Sequence, residues 1–359
     1  MEKLPRIALT HGDINGIGYE VILKTFEDER IFELCVPVLF GSAKVLSFYS
    51  KKLNIPIKYN VIASPTQALN GVLNIVECIN DNDLHPEPGA STEEAGKAAL
   101  LSLEKGVEAL AKGEVDLLVT APINKKNIQS ETFIFPGHTE YLESKASEGE
   151  SANEPRALMI LASENIKIAP VTTHIPLNQV PDVLSSELIL EKLRVFNKSL
   201  KRDFGIHHPR IAVLSLNPHA GEEGLLGTEE ADIIVPAISK AKDEKIMAFG
   251  PYASDGFFGS GRFVKFDGVL AMYHDQGLTP FKLMSMDSGV NFTAGLPWIR
   301  TSPDHGTGYD ICGLGEASAE SMRQAVYTAI DILRHRRRHD EASNNPLAKQ
   351  TADVKQTTE

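Results

Sequence analysis

The sequence predicts an α/β fold. Strand-like and helix-like segments alternate along most of the chain, which is the pattern of sheets whose strands are connected by helices. Several strand-like segments are continuous apolar runs, as expected of strands that helices cover on both faces. The chain has 359 residues, enough for two domains or one large two-lobed unit.

The predicted strands are short segments rich in Val, Ile and Leu that end near Gly, Pro, Asn, Asp or Thr. Most have apolar residues at consecutive positions, which favours burial on both faces. In chain order they are Arg6–Thr10, Val36–Phe40, Gly71–Cys78, Val115–Thr120, Ala157–Ala162, Ile166–Thr172, Arg210–Leu216 and Gly268–Tyr273.

The predicted helices are segments whose apolar residues recur every three or four positions. One of them opens with S-T-E-E, in which Ser91 and Glu94 form a capping-box pattern. In chain order the helices are Tyr19–Phe26, Lys44–Lys52, Ser91–Ala111, Ser185–Ser199, Glu229–Lys242 and Ser318–Arg336.

Composition indicates a soluble cytoplasmic enzyme. The formal net charge of −12 argues against nucleic acid as the main partner. Cys35, Cys78 and Cys312 are far apart and odd in number, which favours a reducing compartment over a disulfide framework. We expect no membrane partner, because the opening residues do not resemble a signal peptide and no apolar run is long enough to span a bilayer.

Three histidines lie where predicted strands end: His174 in V-T-T-H-I-P-L, His219 in L-N-P-H-A-G-E and His274 in M-Y-H-D-Q-G. Side chains at strand ends of α/β proteins often bind ligands, and neutral imidazole is a common ligand of transition metals. A lone histidine is more often structural. The shared placement of these three favours a metal site assembled from several strand ends.

Three further side chains are candidates to bind an anion. Lys282 precedes, and Asn291 and Arg300 lie within, the Gly- and Thr-rich stretch from Gly289 to Gly308. Arg offers a planar fork that matches phosphate or carboxylate, and Lys offers a compact charge. The alternative is that Lys282 and Arg300 are solvated surface charges.

Two turns add polar groups. In F-P-G-H-T-E-Y-L, His138 and Thr139 lie where a helix begins, and Thr139 is expected to cap that helix or bind an anion there, unless this is an ordinary turn. Lys125, in P-I-N-K, follows the predicted strand Val115–Thr120 and is expected to face a cleft that it shares with the opening loop, T-H-G-D-I-N-G-I-G. The loop T-H-G-D-I-N-G-I-G has neither the Rossmann glycine spacing nor a Walker A sequence, so a nucleotide would bind in another manner.

These segments, in this order, resemble the 4-hydroxythreonine-4-phosphate dehydrogenase family. The resemblance extends from about residue 8 to residue 315, and seven blocks in series make it specific. The blocks are G-D-x-x-G-I-G, P-I-N-K, P-G-H-T-E, T-T-H-I-P-L, L-N-P-H-A-G-E, Y-H-D-Q-G and G-L-P-W-I-R-T-S-P-D-H-G-T.

The resemblance implies a two-lobed fold like that of isocitrate and isopropylmalate dehydrogenases, with the active site in the cleft between the lobes. It also implies a homodimer that shares its metal site across the interface. We assign residues 1–89 and 301–336 to a first, nucleotide-binding lobe and residues 90–300 to a second lobe with the metal, substrate and dimer surfaces. Residues 337–359 are polar and are expected to be a disordered tail.

The family's functional residues carry over by motif. The metal, which could be Zn²⁺, Mg²⁺, Mn²⁺ or Co²⁺, would be held by the three histidines. NAD would lie against the Gly-rich C-terminal region. The substrate-binding candidates are His138, Thr139, Lys282, Asn291 and Arg300, and the NAD-binding candidates are Asp304, Gly306 and Thr307.

The implied reaction is oxidation of 4-phosphohydroxy-L-threonine to a β-keto acid that loses CO₂ to give 3-amino-2-oxopropyl phosphate, in vitamin B6 biosynthesis. His138 and Asp255 are candidate proton acceptors, and Asp275 is expected to orient a metal ligand. The opening loop departs from the family's usual T-P-G-D-P-A-G-I-G-P-E at His11, Ile14, Asn15 and Tyr19.

Three alternatives stay open. Related dehydrogenases act on other phosphorylated or dihydroxylated acids. Three histidines would also serve a metal-dependent hydrolase or acyltransferase, in which the Gly-rich stretch has no evident task. A non-catalytic binding protein would be expected to lack one of the histidines.

Overall fold

The computed structural model describes residues 3–80, 84–131, 133–148 and 157–344. Within these residues the strands form a single twelve-stranded sheet, in the order β3-β4-β2-β1-β5-β12-β11-β6-β7-β10-β8-β9. The strands are β1 Arg6–Thr10, β2 Val36–Gly41, β3 Tyr59–Ile62, β4 Leu73–Glu77, β5 Leu117–Thr120, β6 Leu158–Ala162, β7 Lys167–Pro170, β8 Arg210–Leu214, β9 Met247–Tyr252, β10 Gly268–Ala271, β11 Val290–Ala294 and β12 Arg300–Pro303.

Helices connect the strands and cover the sheet. In the described part of the chain the α-helices are α1 Gly18–Phe26, α2 Ala43–Leu53, α3 Glu93–Ala111, α4 His138–Ser147, α5 Val180–Val183, α6 Ser186–Arg202, α7 Val235–Asp243, α8 Ser254–Gly259, α9 His274–Ser285 and α10 Glu320–Asn344. This alternation of strands and helices confirms the predicted α/β class.

The central strands are buried on both faces. Every residue of β2, β5, β6 and β10 is buried, as their continuous apolar sequences predict. Helix α3 packs on β1, β2 and β5, and α10 packs on β5, β11 and β12. These helices remove apolar strand surface from water, which is the main favourable contribution to folding.

Strand direction determines where side chains gather. Neighbours β7, β10 and β8 are mutually parallel, so their carboxyl ends lie at one edge of the sheet. Strand β11 is antiparallel to both β12 and β6, while β12 is parallel to β5. The strands β11 and β12, which carry the predicted substrate-binding residues Asn291 and Arg300, are therefore neighbours in the middle of the sheet.

Four strands were not predicted: β3, β9, β11 and β12. The helix predicted over Glu229–Lys242 begins with a π-helical turn, Glu230–Ile234, before α7. The cap of α3 is also one residue later than predicted: the hydroxyl of Thr92, not that of Ser91, accepts from the Ala95 N–H at 3.2 Å.

The predicted lobe boundaries at residues 89/90 and 300/301 stay predictions. The predicted tail from residue 337 is wrong in its first part, because α10 continues to Asn344. The remainder, residues 345–359, lies outside the described residues. None of the helices described has the length and apolar character needed to cross a membrane.

Candidate active site

Arg300 is a buried cation held by hydroxyl groups. It begins β12, and its side chain crosses to the neighbouring strands. Its guanidinium donates to Thr120 Oγ1 at 2.8 and 3.0 Å and to Thr293 Oγ1 at 3.2 Å. Among the residues described, no carboxylate lies within ion-pair distance of it. Burial lowers the pKa of Arg300 to about 10, which leaves it charged at neutral pH. A buried charge of this kind favours binding of an anion.

His138 is the first residue of α4, which begins after Gly137 without a side-chain cap. Its Nε2 atom is buried and has no hydrogen-bond partner in the described structure. Burial, and then the positive charges of Arg300 and Lys125, hold its pKa well below the usual value of 6.5. His138 is therefore a neutral imidazole in a positively charged pocket. Thr139 is the second residue of the helix, not its cap.

Asn291, Lys282 and Asp304 come from three neighbouring elements. Asn291 pairs with Ser302 between β11 and β12, and its side-chain Oδ1 is buried without a partner among described groups. Lys282 Nζ, on α9, lies 3.8 Å from Asp304 Oδ1. Burial raises the pKa of Asp304. Asn291 Oδ1 and Lys282 Nζ could therefore form hydrogen bonds with a ligand.

Two of the three predicted metal ligands are adjacent. The rings of His174 and His274 have centroids 5.9 Å apart, because β7 and β10 are neighbours and each histidine follows its strand by a few residues. Asp275 Oδ1 lies 2.7 Å from His274 Nδ1, and its orienting role stays a prediction. Gln276 links the start of α9 to the end of β8 by a hydrogen bond: its Nε2 donates at 2.6 Å to the carbonyl of Ser215, the residue after the strand.

His219 is exposed after β8, in a turn with unusual backbone. His219, Ala220, Glu222 and Glu223 all have positive φ values, from 42° to 55°, a conformation that costs free energy in L-residues. Glu230 Oε1 anchors the turn by accepting from two consecutive backbone N–H groups at 2.8 Å each. Across the residues described, no group of three or more His, Cys, Asp or Glu could hold a metal ion. One chain therefore does not assemble the three histidines.

Glu140 is a site residue that the sequence did not single out. It is the third residue of α4, and its Oε1 lies 3.5 Å from His174 Nδ1. Glu140 and His174 line a cavity of about 230 Å³ together with Thr139, Glu143 and Lys192. The P-G-H-T-E motif contains Glu140, but only the folded structure, in which α4 meets the segment after β7, reveals the contact.

The loop after β12 packs against the opening Gly-rich loop. The Ile17 N–H donates to the Thr307 carbonyl at 2.9 Å, and the Tyr309 hydroxyl donates to Asp13 Oδ2 at 2.8 Å. A Cβ at Gly306 would meet no atom of the described residues within 4 Å, so this part of the loop is open with respect to them. His305 Nε2 is buried without a partner in the described residues. The predicted NAD-binding residues Asp304, Gly306 and Thr307 thus lie on one surface loop.

Asp255 stands apart from these groups. It lies in the first turn of α8, after β9, and it is exposed. No contact in the described structure joins it to the histidines or to Arg300. Its predicted role as proton acceptor therefore has no geometric support within one chain.

The described residues form an α/β sheet with a buried arginine, a neutral histidine without a partner among them, and two adjacent histidines at strand ends, which is the architecture of a ligand-binding α/β protein. The family model described as pyridoxal phosphate biosynthetic protein PdxA matches residues 33–329. The chain belongs to this family.

Individual relatives agree. The chain is 52% identical over 349 residues to a protein from Bacteroides thetaiotaomicron named 4-hydroxythreonine-4-phosphate dehydrogenase, covering 97% of this chain and 94% of the relative. A crystal structure of the enzyme of that name from Klebsiella pneumoniae has 34% identity and a TM-score of 0.80, over 92% of this chain and 98% of that one. A terephthalate 1,2-cis-dihydrodiol dehydrogenase from Burkholderia xenovorans has 25% identity and a TM-score of 0.60, with the same two coverages.

Proposed function

We propose that this protein is an NAD- and divalent-metal-dependent dehydrogenase that oxidises 4-phosphohydroxy-L-threonine. The secondary alcohol becomes a ketone and NAD⁺ takes the hydride, with release of one proton. The resulting β-keto acid loses CO₂ to give 3-amino-2-oxopropyl phosphate, in the biosynthesis of vitamin B6. The names of the relatives support this activity, and the buried guanidinium of Arg300 is the observation that carries it.

Arg300 would bind the phosphate or carboxylate group of the substrate. Its charge lies in a pocket with Thr120 and Thr293 as its only hydrogen-bond acceptors among described residues. Lys282 and Asn291 supply a second cation and an amide from neighbouring elements, and Thr139 supplies a hydroxyl at the start of α4. Fixing the substrate at both ends would align its alcohol for reaction.

His138 is better placed than Asp255 to accept the proton. Its Nε2 has no hydrogen-bond partner among the described residues and lies in the same charged pocket as Arg300. A neutral imidazole can take a proton from an alcohol, and the adjacent cations would favour passing it onward to solvent. Asp255 is exposed, and this role would require another chain or a movement of α8.

The residues present fit a divalent metal. His274 has its Nδ1 engaged by Asp275, which leaves Nε2 for a ligand bond, and His174 is its neighbour. We propose that His219 of a second copy completes the set in a homodimer, because one chain does not bring it to the other two. When bound, a divalent metal would act as a Lewis acid on the alcohol oxygen. Imidazole ligands favour Zn²⁺ or Co²⁺ over Mg²⁺ and Mn²⁺.

The loop after β12 fits a polar cofactor. Gly306 leaves open space, and His305 has a buried nitrogen without a partner among described residues. Asp304, Gly306 and Thr307 would bind NAD here, beside the start of α1, where helix N–H groups favour phosphate. This placement differs from the Rossmann manner, as the glycine spacing of the opening loop predicts.

The test is NADH formation from 4-phosphohydroxy-L-threonine, followed by absorbance, in enzyme treated with a chelator and then given Zn²⁺, Co²⁺, Mn²⁺ or Mg²⁺. We expect turnover only after metal is restored. NAD binding without turnover of this substrate would contradict the substrate assignment and favour the second candidate. That candidate is a dehydrogenase of another phosphorylated or dihydroxylated acid, which the fold similarity to the dihydrodiol dehydrogenase supports.

A further inference from the structure

The two adjacent histidines have matching carboxylate neighbours. His274 Nδ1 lies 2.7 Å from Asp275, and His174 Nδ1 lies 3.5 Å from Glu140. Each carboxylate lies in the first turn of a helix, Asp275 on α9 and Glu140 on α4. In both pairs the atom that faces the carboxylate is Nδ1, which leaves Nε2 directed elsewhere.

We infer that Glu140 is a positioning residue that fixes the ring of His174 for metal binding. A carboxylate facing Nδ1 favours the tautomer with the proton on Nδ1, so Nε2 carries the lone pair that binds a metal. The negative charge also makes Nε2 a stronger electron donor. This inference rests on the metal-dependent function proposed above.

A second observation points to a bound cation beside Glu140. Its other oxygen, Oε2, is buried and has no hydrogen-bond partner among the described residues. A carboxylate with a buried, unpaired oxygen is costly unless positive charge lies close to it. A metal ion on His174 would place a positive charge directly beside this carboxylate, in addition to the more distant cations Lys125 and Arg300.

Glu143 provides a matched control. It lies one turn further along α4 and lines the same cavity as Glu140. Its Oε1 accepts from the Ala157 backbone N–H at 3.1 Å, and no histidine contact is found for it in the described structure. Changing each glutamate to glutamine removes one charge from the same helix and cavity wall, while only one change alters the partner of His174.

The experiment measures equilibrium Zn²⁺ affinity without substrate, by competition with a chromophoric chelator, for the full-length chain and for Glu140→Gln and Glu143→Gln. We expect Glu140→Gln to lose about 10- to 100-fold in affinity, the usual effect of removing a partner of a metal-binding histidine. Glu143→Gln should keep the wild-type affinity. The absorption spectrum of bound Co²⁺ should change only in Glu140→Gln.

Unchanged Zn²⁺ affinity in Glu140→Gln, with the same circular dichroism as wild type, would overturn the positioning role and leave the metal-dependent function standing. Equal losses in both glutamine variants would also overturn it, since they would indicate a general effect of charge. No Zn²⁺ or Co²⁺ binding by the wild-type chain would overturn both the inference and the metal site on which it rests.

Discussion

At the scale of single residues, the site is marked by polar atoms that the protein leaves incomplete. Arg300 is 3% exposed and binds only threonine hydroxyls among described groups, while His138 Nε2 and Asn291 Oδ1 are buried with no partner there. Most buried polar atoms in proteins have a partner. Their concentration around β11, β12 and α4 therefore indicates where a polar ligand binds.

Arg300→Ala should weaken binding of the phosphorylated substrate specifically. Loss of a buried guanidinium that meets an anion should raise KM for 4-phosphohydroxy-L-threonine about 100-fold and leave KM for NAD nearly unchanged. Steady-state kinetics with each ligand varied in turn measures this. Arg202→Ala is the control, because Arg202 pairs with Asp340 away from the site. Equal increases in both KM values for Arg300→Ala would argue against the anion-binding role.

His11 should make stability depend on pH. Its ring is fully buried and stacks on Tyr19 at 5.0 Å, and burial lowers its pKa from 6.5 to about 4. Above pH 6.5 neither state binds a proton. Between pH 6.5 and about pH 4, His11 binds a proton in the unfolded chain but not in the folded chain. The free energy of unfolding therefore falls as the pH is lowered, by up to about 3 kcal/mol near pH 4.

His11→Phe removes the titrating group and keeps an aromatic ring. Its free energy of unfolding should fall less steeply between pH 6.5 and pH 4, as measured by urea denaturation at several pH values. His207→Phe, at an exposed position before β8, should keep the wild-type slope. A wild-type slope in His11→Phe would show that the burial of His11 does not control the acid response.

At the scale of elements, the sequence predicts best where one kind of pattern is sustained. The strands β1, β2, β5 and β6 are continuous apolar runs and lie within two residues of their predicted bounds. The strands β11, V-N-F-T-A, and β12, R-T-S-P, carry polar residues of the site, so no apolar run marks them. Helix α9 contains Pro280, which breaks the helical pattern. Residues that serve a binding site thus weaken the sequence pattern from which the local strand or helix would be predicted.

The N-terminal cap of α3 is a boundary that the S-T-E-E pattern predicts one residue too early, and it can be tested by mutation. Thr92 Oγ1 accepts from the Ala95 N–H and from Asn15 Nδ2, whereas Ser91 Oγ accepts from Asn124 Nδ2 outside the helix. Thr92→Ala should lower the free energy of unfolding by about 1–2 kcal/mol, and Ser91→Ala by less than about 0.5 kcal/mol. Urea denaturation measures both changes in the free energy of unfolding. A larger decrease for Ser91→Ala than for Thr92→Ala would show that Ser91 caps the helix, as the S-T-E-E pattern predicts.

At the scale of the whole molecule, strand order explains which of the site residues become neighbours, which the sequence does not predict. The three histidines follow β7, β8 and β10, but only the sheet order β7-β10-β8 makes His174 and His274 neighbours. Pairing of strands about a hundred residues apart is set by the packing of the complete sheet, not by local pattern. The contact of Glu140 with His174 has the same origin, since α4 and the segment after β7 are separated in the sequence and meet only in the folded chain.

The separation of His219 from the other two histidines leads to a prediction about assembly. If a second copy supplies His219, His219→Ala and His174→Ala should each abolish metal-dependent turnover without unfolding the chain. Co-expression of the two variants should restore activity, because each mixed dimer contains one site with all three ligands intact. Random mixing of subunits gives about a quarter of the wild-type activity, since half of the dimers are mixed and half of their sites are complete.

The mixed dimers can be isolated with two different affinity tags and assayed for NADH formation with added Zn²⁺ or Co²⁺. A mixture of His174→Ala with His274→Ala is the matched control. Because these two histidines are neighbours in one chain, every site in that mixture lacks a ligand and no activity should return. Restored activity in the control, or none in the first pair, would mean that the ligands are divided between the two chains in some other way or lie within a single chain.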